Sequence, residues 1–245
     1  MMSLMSEIVI RACHTAEERQ ACVDLQTHVW GYSEIDLVPS QLFAVAAETG
    51  GQALGAFLRE RVIGFSLALV AVRDKVPYLH SQLTAVLPEF QNKGVGRMLK
   101  LAQREDGISR GFDLMEWTFD PLEMRNAYFN IVRLGTIAHK YLHNAYGTTS
   151  SPLHRGMPTD RLLVEWWLKS PRVEAILAGQ PQPPGGETRR IVVPPEHKGA
   201  GVQARIRGEF EAAFQDGWVV TGVERSGDGG EYILTRSSVL ERRQP

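Results

Sequence analysis

Two glycines, Gly94 and Gly96, stand in the stretch QNKGVGRMLK, where a predicted strand gives way to a predicted helix. The first turn of a helix has backbone N–H groups without intrahelical acceptors, and the helix dipole adds partial positive charge there. Glycine lets a phosphate approach the backbone because no Cβ stands in the way. With Lys93 nearby, the turn predicts an anion-binding site. The alternative is a turn that uses glycine only for its own backbone angles.

Two common phosphate-binding motifs do not fit this turn. The dinucleotide pattern G-x-G-x-x-G fails because Leu99 occupies its third glycine position. The P-loop fails because no Gly-Lys-Ser/Thr occurs here, so phosphoryl transfer is disfavoured. What remains is Gln91-x-x-Gly94-x-Gly96 at a strand–helix junction.

The elements around the turn follow from hydrophobic patterning, which predicts the order β-α-α-β-β-β-α-β-α-β-β. A hairpin meander leads into βαβ-type units, so we expect an α+β fold, a mixed sheet with helices on both faces. Up to residue 170, the predicted strands are 7–13, 52–60, 61–72, 76–88, 112–121 and 161–170. The predicted helices are 14–31, 40–51, 94–111 and 122–135.

The chain changes character after residue 170, and we predict a C-terminal β-α-β-β extension over 171–245. Residues 178–190 are rich in Pro and Gly and read as a linker. A short strand, a helix over 201–217 and a hairpin closed by SGDGG follow. The predicted domains are therefore 1–170 and the extension.

Composition excludes several classes of protein. The 245 residues are 43% hydrophobic and 22% charged, with a net charge of −1, so no basic excess argues for a nucleic-acid partner. No run approaches the length of a membrane-spanning helix and the N-terminus lacks a signal peptide, so we expect no membrane association and a cytoplasmic protein. Two cysteines, Cys13 and Cys22, are too few for a zinc site, and no metal is expected.

The stretch LTAVLPEFQNKGVGRMLK resembles the acyl-CoA-binding motif of the GNAT superfamily of N-acyltransferases. In that motif a strand ends with Val and Pro, an aromatic residue follows, and [Q/R]-x-x-G-x-[G/A] opens a helix. The resemblance covers residues 7 to 170. The residues that carry it are Val86, Pro88, Phe90, Gln91, Gly94 and Gly96.

The resemblance implies an acyl-CoA co-substrate, acetyl-CoA or a related thioester, bound along the motif. The pantetheine arm would add to the strand at Ala85 and Val86, and the amide of Val86 or Leu87 would serve as oxyanion donor. The pyrophosphate would lie on the backbone of Gln91, Asn92, Lys93, Gly94, Val95 and Gly96.

The later helix departs from the family pattern. Such helices commonly supply an Asn to the coenzyme and a Tyr that protonates the leaving thiolate. Asn126 and Asn130 are the amide candidates, but Ile131 occupies the usual Tyr position. Tyr128, three residues earlier on a similar face, is the candidate acid, or else an aromatic that packs against the sheet.

Acyl transfer to an amine also needs a base. Glu116, on the predicted strand 112–121, is the first candidate and His80 is the second. Each has a structural alternative, because Glu116 could pair with Arg125 or Arg161 and His80 could be a satisfied histidine at a strand start.

The acceptor is expected to be a small-molecule amine. An Arg fork binds both oxygens of a carboxylate, which suits an amino acid. A non-catalytic acyl-CoA-binding module is the competing hypothesis. The C-terminal segment 171–245 could cap the acceptor cleft or form a homodimer interface. The acceptor-binding candidates are Trp30, Tyr32, Asp120, Arg125, Arg155 and Arg161.

Overall fold

The computed structural model describes residues 7–147, 149–152, 156–180, 182, 185–195 and 199–236. The chain forms two compact units, one of residues 1–115 with 149–155, the other of 116–148 with 156–245. Among the described residues, no helix combines the length and the apolar character that crossing a membrane requires.

The first unit is built on four antiparallel strands in the order β1-β2-β3-β4, with three helices. Short 3-10 turns at Glu34–Asp36 and Pro88–Phe90 lie in its loops. Its elements are β1 (Ile8–Ala12), α1 (Ala16–Trp30), α2 (Ser40–Glu48), β2 (Gln52–Leu58), β3 (Arg61–Arg73), β4 (Val76–Val86) and α3 (Val95–Ser109).

Helices lie on both faces of this sheet, because side chains of β2 that point to opposite faces contact different helices. The Gln52 amide donates to the backbone oxygen of Gln103 in α3, at 2.9 Å. Phe57 points to the other face, where the Arg11 guanidinium lies over its ring and pairs with Glu18 of α1. Residues five apart on a strand face opposite sides, so α1 and α3 enclose the sheet.

A buried polar cluster joins α3 to β4. The Lys100 ammonium donates to Ser81 Oγ at 2.7 Å, and Ser81 Oγ donates to Gln103 Oε1 at 3.1 Å. Lys100 is only 4% exposed, and this burial lowers the pKa of its ammonium from 10.5 to about 7. The helix that follows the glycine turn is thus held by a titratable group.

The described residues of the second unit form six strands in the order β5-β7-β6-β9-β10-β8, and β5 begins two residues inside the first unit. The short helix α4 continues into a π-helical segment, Tyr128–Arg133. The elements are β5 (Leu114–Phe119), α4 (Met124–Ala127), β6 (Ile137–Leu142), β7 (Arg161–Trp167), α5 (Pro171–Leu177), β8 (Thr188–Val193), α6 (Ala200–Gln215), β9 (Trp218–Ser226) and β10 (Gly229–Arg236).

The predicted α+β class is confirmed, and the predicted C-terminal strand, helix and hairpin are present as β8, α6, β9 and β10. Three elements differ from prediction. The helix predicted over 122–135 becomes α4 and the π-helical segment, and neither β6 nor α5 was predicted. The predicted boundary at 170/171 lies inside the second unit, where β6 pairs with β9.

Lys100 gives stability a pH dependence of predictable sign. Its pKa is lower in the folded state, so between pH 7 and 10 the unfolded chain binds more protons and the free energy of unfolding rises with pH. Lys100 contributes on the order of 4 kcal/mol to this rise, and we expect the Lys100→Met variant to lose that contribution. Urea unfolding at several pH values measures it, and the exposed Lys93→Met is the control. An equal slope in wild type and Lys100→Met would contradict the assignment.

Candidate functional site

The predicted anion-binding turn is an exposed loop anchored at both ends. Phe90 before it and Val95 after it are buried, whereas the four residues between them are exposed. Asn92 has a φ of 59° and Gly94 a φ of 89°, so the chain reverses before the helix starts. The side-chain amide of Gln91 donates through Nε2 to the Val86 carbonyl at 3.0 Å and ties the loop to the end of β4.

The two glycines of the turn have different reasons to be glycine. Gly94 lies in the left-handed region, which disfavours residues with a Cβ. Gly96 does not, and a Cβ built there meets no heavy atom of the described chain within 4 Å. Backbone angles therefore account for Gly94 but not for Gly96, which leaves open space in front of the first turn of α3.

The N-terminus of α3 carries positive charge that no side chain of the described protein balances by capping. It has no side-chain cap and no acidic residue in its first turn, and Lys93 and Arg97 flank its end. The first intrahelical bond runs from the Met98 N–H to the Gly94 oxygen. The earlier amides therefore have no acceptor within the helix. Cations at this end of a helix oppose its dipole, so an external anion would be stabilised there.

The N-terminus of helix α1, in contrast to that of α3, is capped by side chains of the helix itself and of the residue before it. The spacing Thr15-x-x-Glu18 in the sequence predicts a capping box. It is present, because Thr15 Oγ1 accepts from the Glu18 backbone amide and the Glu18 carboxylate accepts from the Thr15 backbone amide. Glu17 adds a second acidic residue to that first turn. The N-terminus of α1 is thus capped by the protein's own side chains, whereas that of α3 is not.

Register decides which backbone groups of β4 are available. The Leu87 amide donates to the Ile63 oxygen at 2.9 Å, so it is already used within the sheet. Hydrogen bonding alternates along an antiparallel pair, so Ala85 also faces β3 and Val86 faces away from it. This corrects the prediction for the backbone of Ala85 and Leu87 and leaves the Val86 N–H as the candidate oxyanion donor.

The predicted proton-transfer residues lie in different surroundings. His80, on β4, is half-buried, and this burial, with the charge of Lys100 as a smaller cause, lowers the pKa of its imidazole. Glu116, on β5, is 1% exposed. Tyr128 is half-buried at the start of the π-helical segment, whereas Ile131 is completely buried.

The two predicted amide ligands also differ. Asn126 is exposed on α4. Asn130 is 4% exposed, and its Oδ1 accepts from the Trp117 indole N–H at 3.2 Å. Its backbone oxygen accepts from the amide and the hydroxyl of Thr136. Asn130 is thus committed to the core of the second unit, whereas Asn126 is exposed.

The aromatic acceptor-binding candidates of the first unit lie together. The ring centroids of Trp30 and Tyr32 are 5.4 Å apart, and the Trp30 carbonyl accepts from the Ser151 hydroxyl. The Ser33 amide donates to Ser150 Oγ, so the segment 149–152 supports the loop after α1.

The polar acceptor-binding candidates of the second unit are more dispersed. Asp120 Oδ1 accepts from the Leu122 amide, and Arg125 is exposed. The Arg161 guanidinium lies 5.5 Å from the centre of the Tyr146 ring and donates to a backbone oxygen. Arg155 lies outside the described residues.

Sequence reasoning missed a histidine–carboxylate pair. His139 Nε2 lies 2.8 Å from Glu165 Oε1, and the Trp167 indole N–H donates to Glu165 Oε2 at 3.0 Å. Strand pairing joins residues 26 positions apart here. The only local signal was two polar residues in the apolar context of IAHKYL, the segment that forms β6.

Comparison with solved structures shows similarity to GNAT proteins over two thirds of the chain. A GNAT-family acetyltransferase from Streptococcus pneumoniae matches with a TM-score of 0.52 and 15% identity, over 65% of this chain and 98% of that one. Arabidopsis thaliana Naa50, in complex with the bisubstrate analogue CoA-Ac-MVNAL, has a TM-score of 0.51 and 12% identity, over 65% and 97%.

A protein from Salmonella typhimurium, solved with its cofactor acetyl-CoA, matches with a TM-score of 0.52 and 16% identity, over 66% of this chain and 94% of that one. Neither the family models nor the curated proteins gave a significant match. At these identities the likeness establishes the fold.

The different roles of the two glycines can be tested through stability. Gly94→Ala places a Cβ in the left-handed region and should lower the free energy of unfolding by roughly 1–2 kcal/mol. Gly96→Ala should raise it by roughly 0.5–1 kcal/mol, because alanine is the better helix former and space is free. Urea unfolding of both variants measures this. A Gly96→Ala variant as unstable as Gly94→Ala would show that Gly96 serves the backbone.

Proposed function

We propose that this chain, whose fold is that of the GNAT acetyltransferases, is an N-acyltransferase that moves an acetyl or other small acyl group from acyl-CoA to an amine. Transfer is direct, without a covalent enzyme intermediate. The proposal is supported most by the N-terminus of α3, which joins uncapped amides, two flanking cations and the open space at Gly96.

The residues of the first unit suit a coenzyme A pyrophosphate. The amides of Val95, Gly96 and Arg97 point out of the helix end, and Lys93 and Arg97 supply positive charge. A side chain at position 96 would fill the space that the phosphates need. Asn126 is our candidate for a further polar contact to the coenzyme. When bound, acyl-CoA supplies the activated acyl group as a thioester.

The roles of the chain's own residues follow from this assignment. The Val86 N–H is the donor that we assign to the oxygen of the reacting carbonyl, because β3 does not use it. Glu116 and His80 stay the bases proposed from sequence, and Tyr128 the acid. Burial limits the access of a substrate to Glu116, and the lowered pKa of His80 makes its imidazole a weaker base.

The acceptor that we propose is a small-molecule amine with a carboxylate, such as an amino acid. Trp30 and Tyr32 offer an aromatic surface, and Arg125 offers an exposed guanidinium for a carboxylate. Asp120 and Arg161 remain candidates as well, and all three charged side chains already make contacts within the chain. A cytoplasmic location and a homodimer also remain proposals.

A non-catalytic acyl-CoA-binding module is the second candidate. Ile131 favours it, because the position where a tyrosine would protonate the thiolate holds a completely buried aliphatic side chain. Such a module would bind acetyl-CoA as tightly as an enzyme but would release no thiol with any amine.

Coenzyme binding is tested with Gly96→Glu. The added carboxylate would fill the open space and repel phosphate, so we expect acetyl-CoA affinity to fall at least tenfold, as measured by calorimetry. Gly208→Glu is the matched control, because Gly208 is also helical and also open within the described chain. Equal affinity of Gly96→Glu and wild type would refute the pyrophosphate site.

Catalysis is tested by incubating wild-type protein and acetyl-CoA with L-amino acids, polyamines and short peptides while free thiol is measured. We expect acceptor-dependent thiol release with at least one amine. Binding of acetyl-CoA without release in any reaction would favour the binding module.

A further inference from the structure

The two cysteines of the chain lie in contact inside the first unit. Cys13 directly follows β1 and Cys22 lies in α1. Their sulfur atoms are 3.7 Å apart and share a hydrogen bond between two free thiols. The sequence contains no other cysteine. The pair is therefore a dithiol with no competing thiol in the same chain.

The surrounding backbone fixes the position of the Cys13 sulfur. The Cys13 amide donates to the Ala53 oxygen of β2 at 2.9 Å. A Cβ built on Gly55 would lie 3.1 Å from Cys13 Sγ, so the sulfur packs against the bare backbone of β2. The Arg11 guanidinium pairs with Glu18 at 2.6 Å and joins β1 to the start of α1. The contact between the thiols is thus supported from both sides.

The two thiols differ in acidity. The hydrogen bond from Cys22 is the main cause that lowers the pKa of the Cys13 thiol. The charges of Arg11 and Arg19 add to this lowering, whereas burial and Glu18 oppose it. Donating that hydrogen bond, together with burial, raises the pKa of the Cys22 thiol. Since the thiolate is the nucleophilic form of cysteine, Cys13 is the thiol that attacks and Cys22 keeps its proton.

We propose that Cys13 and Cys22 form an oxidation site at which hydrogen peroxide converts the dithiol into a disulfide between the end of β1 and α1. This inference does not depend on the proposed acyl transfer. The Cys13 thiolate attacks a peroxide oxygen, the O–O bond breaks, hydroxide leaves and a sulfenic acid forms. The Cys22 sulfur then attacks the Cys13 sulfur, and the S–S bond forms as the sulfenic hydroxyl and the Cys22 proton leave as water. The sulfurs lose two electrons together, and the peroxide is reduced to water.

Burial selects the oxidant. Cys13 is 4% exposed and Cys22 is completely buried, so small hydrogen peroxide suits the pair better than bulky oxidised glutathione. The sulfurs must then approach from 3.7 Å to the disulfide bond length of about 2.05 Å. Rotation of the two side chains about their Cα–Cβ bonds moves the sulfurs while the backbone of β1 and α1 stays in place.

The disulfide would enclose the capping box of α1 in a short covalent loop. Closing a loop stabilises the folded protein because it restricts the unfolded chain. A disulfide that forms only when an oxidant is present is typical of redox sensing. Oxidation would therefore act on the attachment of α1 to β1.

The test treats reduced full-length protein with hydrogen peroxide, blocks the remaining thiols with N-ethylmaleimide under denaturing conditions and measures the mass of the intact chain. We expect a monomer that has lost two hydrogens and takes up no maleimide. Dithiothreitol should restore both thiols. Trypsin cleaves after Arg19, between the two cysteines, so a linked pair of peptides identifies the bond. Oxidised glutathione should react about tenfold more slowly than peroxide.

Two variants separate the roles of the thiols. In Cys22→Ala, peroxide should leave a Cys13 sulfenic acid that dimedone traps, because the second thiol is absent. In Cys13→Ala, the matched control, Cys22 should react about tenfold more slowly, because burial keeps it protonated.

Thermal unfolding shows whether the bond suits the folded protein. The unfolding midpoint of oxidised wild type should be higher than that of the reduced protein by roughly 5 °C, and that of the double variant Cys13→Ala, Cys22→Ala should not change with peroxide.

Four results would overturn the inference. They are two intact thiols in peroxide-treated wild type, a disulfide that joins two copies of the chain, a lower unfolding midpoint after oxidation, and a Cys13→Ala variant that reacts as fast as Cys22→Ala. The wild-type mass measurement stands by itself if a variant fails to fold.

Discussion

The positive N-terminus of α3 is the constraint on which the rest of the site depends. No side chain of the described chain caps its amides, so an anion from outside would be stabilised there. Gly94 turns the chain so that the amides face outward. Phe90 and Val95 anchor the loop by their burial, and the side-chain amide of Gln91 ties it to β4. Each of these contacts fixes where that anion can bind.

Local patterns predicted this part of the molecule well, because local chemistry determines it. The capping box at Thr15 and Glu18 and the glycine turn after β4 depend on residues a few positions apart. The use of the Leu87 amide by Ile63 depends instead on strand register, which no short stretch contains. The structure was therefore needed to choose between the N–H groups of Val86 and Leu87 as the candidate oxyanion donor.

The second unit was harder to predict because its important contacts join distant residues. The His139–Glu165 pair spans two strands. The register between β6 and β7 shifts between Ala138 and Lys140, and this β-bulge at His139 breaks the alternation that would have revealed β6. The C-terminal strands are also part of this core, since the Tyr232 hydroxyl donates to the Pro121 oxygen at 2.7 Å. A division at residue 170, natural from composition, thus cuts through one packed unit.

The bulge in β6 changes how many side chains one strand can offer to one place. In a regular strand every second residue points away, so three consecutive residues place at most two side chains on a face. Here His139, Lys140 and Tyr141 all border one cleft between β6 and α6. One extra residue thus allows three consecutive residues of one strand to line the same cleft. β6 still pairs with β7 on both sides of the bulge, so the extra residue does not interrupt the sheet.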